Sequence, residues 1–223
     1  MNRTLLRQAC IKFFAGVILV GLLLFVPAGT IRFFHGWLFM SVLFIPMFIA
    51  GLIMCRKAPD LLKRRLQAKE QEGEQRTVIA LSGLMFLVGF VMAGLRVRFR
   101  WTALPLPIVV ASSVVFLMGY GLFAVVLREN AYLSRTIQVE KGQRVVDTGL
   151  YGVVRHPMYT ATILMFLSMP LILGCWQSFL VFLLYPFLIV KRIKNEETVL
   201  LRELQGYDVY CQKIQYRLIP FIW

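Results

Sequence analysis

Apolar and polar positions fall along this chain in long blocks, not at the alternating spacing of a half-buried strand. Blocks of that length predict helices that cross a bilayer. The first runs from Phe13 to Ile31, after a short basic segment carrying Arg3, Arg7 and Lys12. That arrangement imitates a cleaved leader, but the run is long for one and a second run follows at once, so a retained first helix is expected. Further runs span Phe33–Cys55, Thr77–Leu95 and Thr102–Leu127. The last, from Pro157 to Val190, holds 34 residues without a charge. As one helix it would measure about 51 Å, against a hydrocarbon core of about 30 Å. Pro170, Gly174 and the Gln177-Ser178 pair break it into a tight hairpin, with a kink expected at Pro186 and an extension past Lys191 to about Leu204.

Two polar stretches interrupt the runs. In Arg56–Arg76, the segment Pro59-Asp60-Leu61-Leu62-Lys63-Arg64-Arg65-Leu66 has proline near a helix start and Leu61, Leu62 and Leu66 on one side. It reads as an amphipathic turn or two along the membrane surface, a connector with a gating role as the alternative. Arg128–Arg155 mixes alternating apolar residues with glycine turns and predicts an irregular loop. Gly119 and Gly121 in the fourth run predict a close helix approach. The fold class expected is therefore an all-α integral membrane protein of about six hydrophobic helices. Its last two form a tight hairpin, and the C-terminal half forms a cytoplasmic pocket. Residues 1–135 would supply transmembrane helices and a connector, and 136–223 the chemistry.

Composition sharpens this picture. Of 223 residues, 59% are apolar, and mean hydropathy is +0.72, outside the soluble range. A net charge of +14 would point to nucleic acid in a soluble protein. Here, with the N-terminus in the cytoplasm, only Arg32, Arg96, Arg98 and Arg100 of the 25 basic residues face outward. Charge thus reports topology and attraction to anionic lipid, not nucleic acid. Cys10, Cys55, Cys175 and Cys211 lack metal-ligand spacing and read as reduced, so no metal is expected. The membrane midplane carries no ionisable residue, which disfavours ion or proton transport.

Candidate chemistry concentrates after residue 136. Pro157 marks a helix start with His156 beside it; alone, this is either an anion site or a plain cap at the membrane surface. Arg192 and Glu196 lie one turn apart on one helix face; alone, they are a surface ion pair of little value. Glu197 reads as solvated or paired with a neighbouring base. The hairpin changes the weighing, because it returns His156 and the Arg192/Glu196 pair to one face beside the glycine-containing loop. A cation, a carboxylate, a helix N-terminus and the aromatics Tyr151 and Tyr159 would then surround one pocket. Such a pocket suits a zwitterionic cofactor with an aromatic base.

The ordered set Gln138, Val145-Val146-x-x-Gly149-x-Tyr151, Arg155-His156-Pro157-x-Tyr159, Arg192-x-x-x-Glu196-Glu197, Gly206-Tyr207-x-x-Tyr210 and Ile219-Pro220 resembles the isoprenylcysteine carboxyl methyltransferase family, particularly its bacterial membrane relatives. The resemblance implies S-adenosylmethionine as methyl donor, held by Gln138, Gln143, Arg144, Val145, Val146, Tyr151, His156, Pro157, Met158, Tyr159 and Glu196. It implies that Arg192 faces a lipophilic or lipid-modified acceptor arriving from the bilayer. The chain departs from eukaryotic members in a shorter loop between Gln138 and Gln143. It also carries Thr160-Ala161-Thr162-Ile163 where those members have a Trp-containing stretch.

A carboxylate acceptor is already ionised at neutral pH and needs no general base, only orientation and exclusion of water. Arg192 suits the orienting role, with Glu196 binding the cofactor's amino group or positioning Arg192. An amine acceptor would place a second cation near Arg192, which weighs against phospholipid N-methylation. An NADPH-dependent reductase of the sterol type shares the His-Pro-x-Tyr start. Its members usually have Asn before the Tyr and Gly-Glu soon after, where Met158 and Thr160-Ala161 stand here. A non-catalytic scaffold is the remaining alternative.

Overall fold

The computed structural model describes residues 3–66, 73–133, 139 and 142–223. Its helices are α1 (Arg3–Ala28), α2 (Phe34–Lys57), α3 (Pro59–Leu66), α4 (Gly73–Arg98), α5 (Leu106–Glu129), α6 (Pro157–Ile172), α7 (Trp176–Phe182), α8 (Leu184–Glu203) and α9 (Tyr207–Lys213), with a single 3-10 turn at Gly149–Gly152. Helices α1, α2, α4, α5 and the joined α7–α8 are long and apolar enough to cross a membrane, and α6 is a shorter apolar helix. The protein is an all-α multi-pass membrane protein.

Proline positions explain several boundaries. Pro59 and Pro157 open α3 and α6, where a missing backbone N–H costs nothing. Pro186 cannot donate to the Phe182 carbonyl four residues back, and the helix breaks at Leu183 between α7 and α8. The expected kink is there, displaced toward the N-terminal side of the proline as that clash requires. The hairpin turns at Gly174, whose φ is +68°. Its carbonyl accepts from Leu104 N at 3.0 Å, tying this turn to the α4–α5 connection on the same membrane face.

The core lies between α1, α2, α4, α5, α6, α7 and α8, around Phe39, Phe90, Phe116 and Phe182. Outward faces of α1 and α5 carry exposed Ile18, Leu22, Val114 and Met118, a lipid-facing surface. Helix α5 packs most extensively on α6. A Cβ at Gly119 would lie 2.9 Å from Met165 and 3.2 Å from the Ala161 carbonyl, so this glycine permits the close approach. Gly121 faces open space; two residues on from Gly119, about 200° around the helix, it lies on another side, and its expected packing role is not found.

The face opposite Gly174 carries α3, the α5 C-terminus, the α6 start, the polar half of α8 and α9. There α3 lies against the site. Arg64 donates to the Ala131 carbonyl at 2.9 Å, and Arg65 stands over the Phe123 ring at 5.1 Å. Among the described residues all four cysteines are free; Cys175 is buried beside the Gly174 turn.

Candidate functional site

The hairpin sets the site. Helix α6 begins, and the polar half of α8 ends, on one face, which brings the His156 end against Arg192, Glu196 and Glu197. Three side chains then lock together. Arg192 Nε donates to the Tyr159 hydroxyl at 2.9 Å, and that hydroxyl donates to Glu196 Oε2 at 2.5 Å. Behind them, fully buried Gln75 of α4 accepts from Arg192 Nη1 at 3.2 Å. Its amide donates to the Arg192 carbonyl at 3.3 Å. Arg192 is thus held at both its backbone and its guanidinium.

Glu197 is the centre of a second cluster. It is 6% exposed and sits 2.9 Å from Arg155 Nε, 3.2 Å from His156 Nε2 and 2.8 Å from Arg217 Nε. Of the two readings of Glu197, solvated or paired with a neighbouring base, the second holds: the side chain points inward, under the α6 start, and three cationic or ionisable partners offset its burial. The C-terminal segment completes the cluster. Arg155 N donates to Tyr216 O and His156 N to Arg217 O, both at 2.9 Å, and Thr160 Oγ1 donates to Leu218 O at 2.8 Å. A length of extended chain therefore straps the start of α6.

Tyr151 is fixed from three sides. Glu129 Oε2 accepts from Leu150 N at 2.9 Å and fills the space where Gly149, at φ +56°, has no side chain. Asn130 Nδ2 donates to the Tyr151 hydroxyl at 3.1 Å, and the Tyr210 hydroxyl donates to the Tyr151 carbonyl at 2.8 Å. Burial pushes the phenols of Tyr151, Tyr207 and Tyr210 well above the ordinary tyrosine range.

These groups line one cleft. Gln143, Arg144, Val145, Val146, Tyr151, His156, Met158, Tyr159, Arg192 and Glu196, all singled out from sequence, form its wall. Pro157 opens α6 without lining it, and Gln138 lies outside the described residues. Asn130, Tyr132 and Arg155 also line the cleft, as do Leu200, Leu204, Tyr207 and Tyr210. A second cavity of about 560 Å³ opens between α2, α4, α5, α6 and α8 within the membrane. It shares Met158, Tyr159 and Arg192 with the cleft.

The profile of the isoprenylcysteine carboxyl methyltransferase (ICMT) family matches residues 109–202, from within α5 to the end of α8. This segment is similar to that family. The match covers about two-fifths of the chain and includes Tyr151, His156, Arg192 and Glu196 of the cleft. The chain is also similar to the Delta(14)-sterol reductase of Mus musculus, at 30% identity over 91 residues, 40% of this chain and 22% of the relative. It spans about a fifth of the length of that curated relative.

Sequence reasoning missed Gln75 and Glu129, and left open whether Glu197 is solvated or paired. Gln75 left a signal, a lone amide at the start of an apolar helix. Glu129 left only its place next to the polar loop.

Proposed function

We propose that this protein is a membrane methyltransferase that uses S-adenosylmethionine to methylate the carboxylate of a lipophilic acceptor. One observation carries the reading: Met158, Tyr159 and Arg192 belong at once to the polar cleft and to the membrane cavity. A methyl group presented in the first meets an acceptor head group arriving from the second.

The donor set fits the cofactor. Tyr132, Tyr151, Tyr207 and Tyr210 offer aromatic faces for a base, and Glu196 offers a carboxylate for an ammonium group. Gln143 to Val146 border the same cleft, and Gln138 belongs with them by position in the family pattern. When bound, S-adenosylmethionine supplies an activated methyl group on a sulfonium, whose positive charge is discharged when the methyl is transferred.

This chain's residues do the rest. Arg192 receives the acceptor carboxylate as a fixed fork, already ionised since its ordinary pKa is about 4. Tyr159 and Gln75 keep that fork from swinging, so the carboxylate is held in line with little rotational loss. Glu196 anchors the cofactor and, through Tyr159, the position of Arg192. No general base is needed. An amine acceptor would have to lose a proton beside a guanidinium, which disfavours N-methylation. Residues 136–223 form the catalytic region in this reading, the helices of 1–135 the membrane wall, and the basic face is cytoplasmic.

The similarity to a sterol reductase supports a second reading, a reductase using NADPH in the same cleft. Calorimetry on the purified protein separates the two. Micromolar S-adenosylhomocysteine binding, weakened by Glu196→Gln and by His156→Ala, is expected, with no NADPH binding. The reverse pattern would establish the reductase. Arg192→Ala is expected to keep S-adenosylhomocysteine binding and lose transfer.

A further inference from the structure

The membrane cavity is not uniformly apolar. Ser82 of α4, Tyr120 of α5, Thr162 of α6 and Tyr185 of α8 all line it, one hydroxyl from each of four helices. They lie at one depth. Phe86, one turn beyond Ser82, meets Phe166, one turn beyond Thr162, with ring centres 4.9 Å apart. Phe166 meets Tyr185 at 4.6 Å. Gly119, beside Tyr120, touches Ala161 and Met165 on either side of the Thr162 level.

Two of the four are already engaged: Tyr185 donates to Thr162 Oγ1 at 3.1 Å, and Thr162 donates to the Tyr159 carbonyl at 3.0 Å. Ser82 and Tyr120 have no hydrogen bond to any described residue. A hydroxyl facing a membrane cavity with no partner is costly, because no bulk water replaces the bond. Tyr185 also keeps acceptor capacity after donating. The ring thus offers two donors and several acceptors to whatever fills the cavity.

Resting on the reading that Arg192 receives the acceptor head group, we propose that the acceptor is an amphiphilic acid with a second polar group, a hydroxyl or carbonyl, part-way along its apolar body. The ring of Ser82, Tyr120, Thr162 and Tyr185 binds that group. Thr162 lies three residues below Tyr159 on α6, and Tyr185 seven residues below Arg192 on α8, so the second group sits roughly 5–10 Å from the carboxylate. Arg65 at the cavity mouth, with Arg192, supplies the cationic end for the acid. A plain hydrocarbon chain would leave the Ser82 and Tyr120 hydroxyls bare.

The test uses octadecanoic acid and its positional hydroxy isomers, with binding read by displacement of a fluorescent fatty acid and transfer read separately as methyl ester. The isomer whose hydroxyl falls at the stated distance is expected to bind about tenfold tighter than the unsubstituted or terminally hydroxylated acid. Tyr120→Phe should bring that preference to within about twofold, and Ser82→Ala should reduce it. S-adenosylhomocysteine binding by both variants reports that they are folded. Equal binding across the wild-type series, or a gain independent of hydroxyl position, overturns the proposal. A positional preference without methyl ester from any acid supports the ring and instead sinks the carboxyl-transfer reading.

Discussion

Arg192 and Glu196 are joined through a third side chain: the Tyr159 hydroxyl accepts from Arg192 Nε at 2.9 Å and donates to Glu196 Oε2 at 2.5 Å. The phenol is fully engaged as donor and acceptor, so its proton direction is set by its neighbours. Tyr159→Phe removes both bonds while keeping the ring. We expect transfer to fall by about 10- to 100-fold, the range for losing one or two bonds to charged groups. S-adenosylhomocysteine affinity should change far less. A variant with wild-type turnover would show that Arg192 is held well enough without it.

Gln75 supports the same arginine from behind. Gln75→Leu removes the bond to one guanidinium nitrogen of Arg192 and the second bond at its carbonyl, at a cost of about 1–3 kcal/mol. The expected signature is a lower thermal midpoint together with a raised acceptor KM. A change in cofactor affinity alone would place Gln75 outside this role.

Glu197 holds Arg155, His156 and Arg217 together. Glu197→Gln leaves these groups packed around a neutral amide and should destabilise the protein by about 3 kcal/mol, as breaking buried ion pairs does. Arg217→Gln, on the more exposed partner, should cost less. Thermal unfolding in detergent measures both; equal losses would show that the C-terminal strap, not the carboxylate, dominates.

Three of the buried phenols of the cleft, Tyr151, Tyr207 and Tyr210, are each pushed up by burial, with the Cys211 thiol beside them raised for the same reason. A folded protein that holds these protons longer than the unfolded chain is fully stabilised below the ordinary values. It loses that stability as pH rises past about 8.5 for the thiol and about 10 for the phenols. Thermal midpoints from about pH 8 to about pH 11 should therefore fall, with part of the tyrosinate absorbance appearing only on unfolding. Full titration of all tyrosines in the folded protein would contradict the burial described here.

Gly149 sits at φ +56°, where a Cβ would clash with the Glu129 carboxylate. Gly149→Ala should cost about 1–2 kcal/mol through backbone strain alone. Displacing Glu129 would also free the Tyr151 turn, so S-adenosylhomocysteine binding should weaken more than stability does.

The fold was legible where length and hydropathy decide it, as in the runs that became α1, α2, α4 and α5 and in the hairpin broken near Gly174. The site was legible where a motif and a helix face coincide, as at His156, Arg192 and Glu196. Whether Glu197 is solvated or paired was not, because adjacent positions on a helix differ by about 100° and only the packing of α6 and the C-terminal segment decides which one turns inward. Gln75 was not, because its partner lies 117 residues away, a separation that no local pattern records. The difference between Gly119 and Gly121 has the same origin: both are glycines in one helix, and only the neighbour α6 distinguishes them.

The backbone N–H groups of Arg155 and His156 are satisfied by residues 216 and 217, which follow helices α1 to α9 in the chain. On the function proposed above, the wall of the cleft at His156 is complete only once residues 216 and 217 have been made and have reached the start of α6.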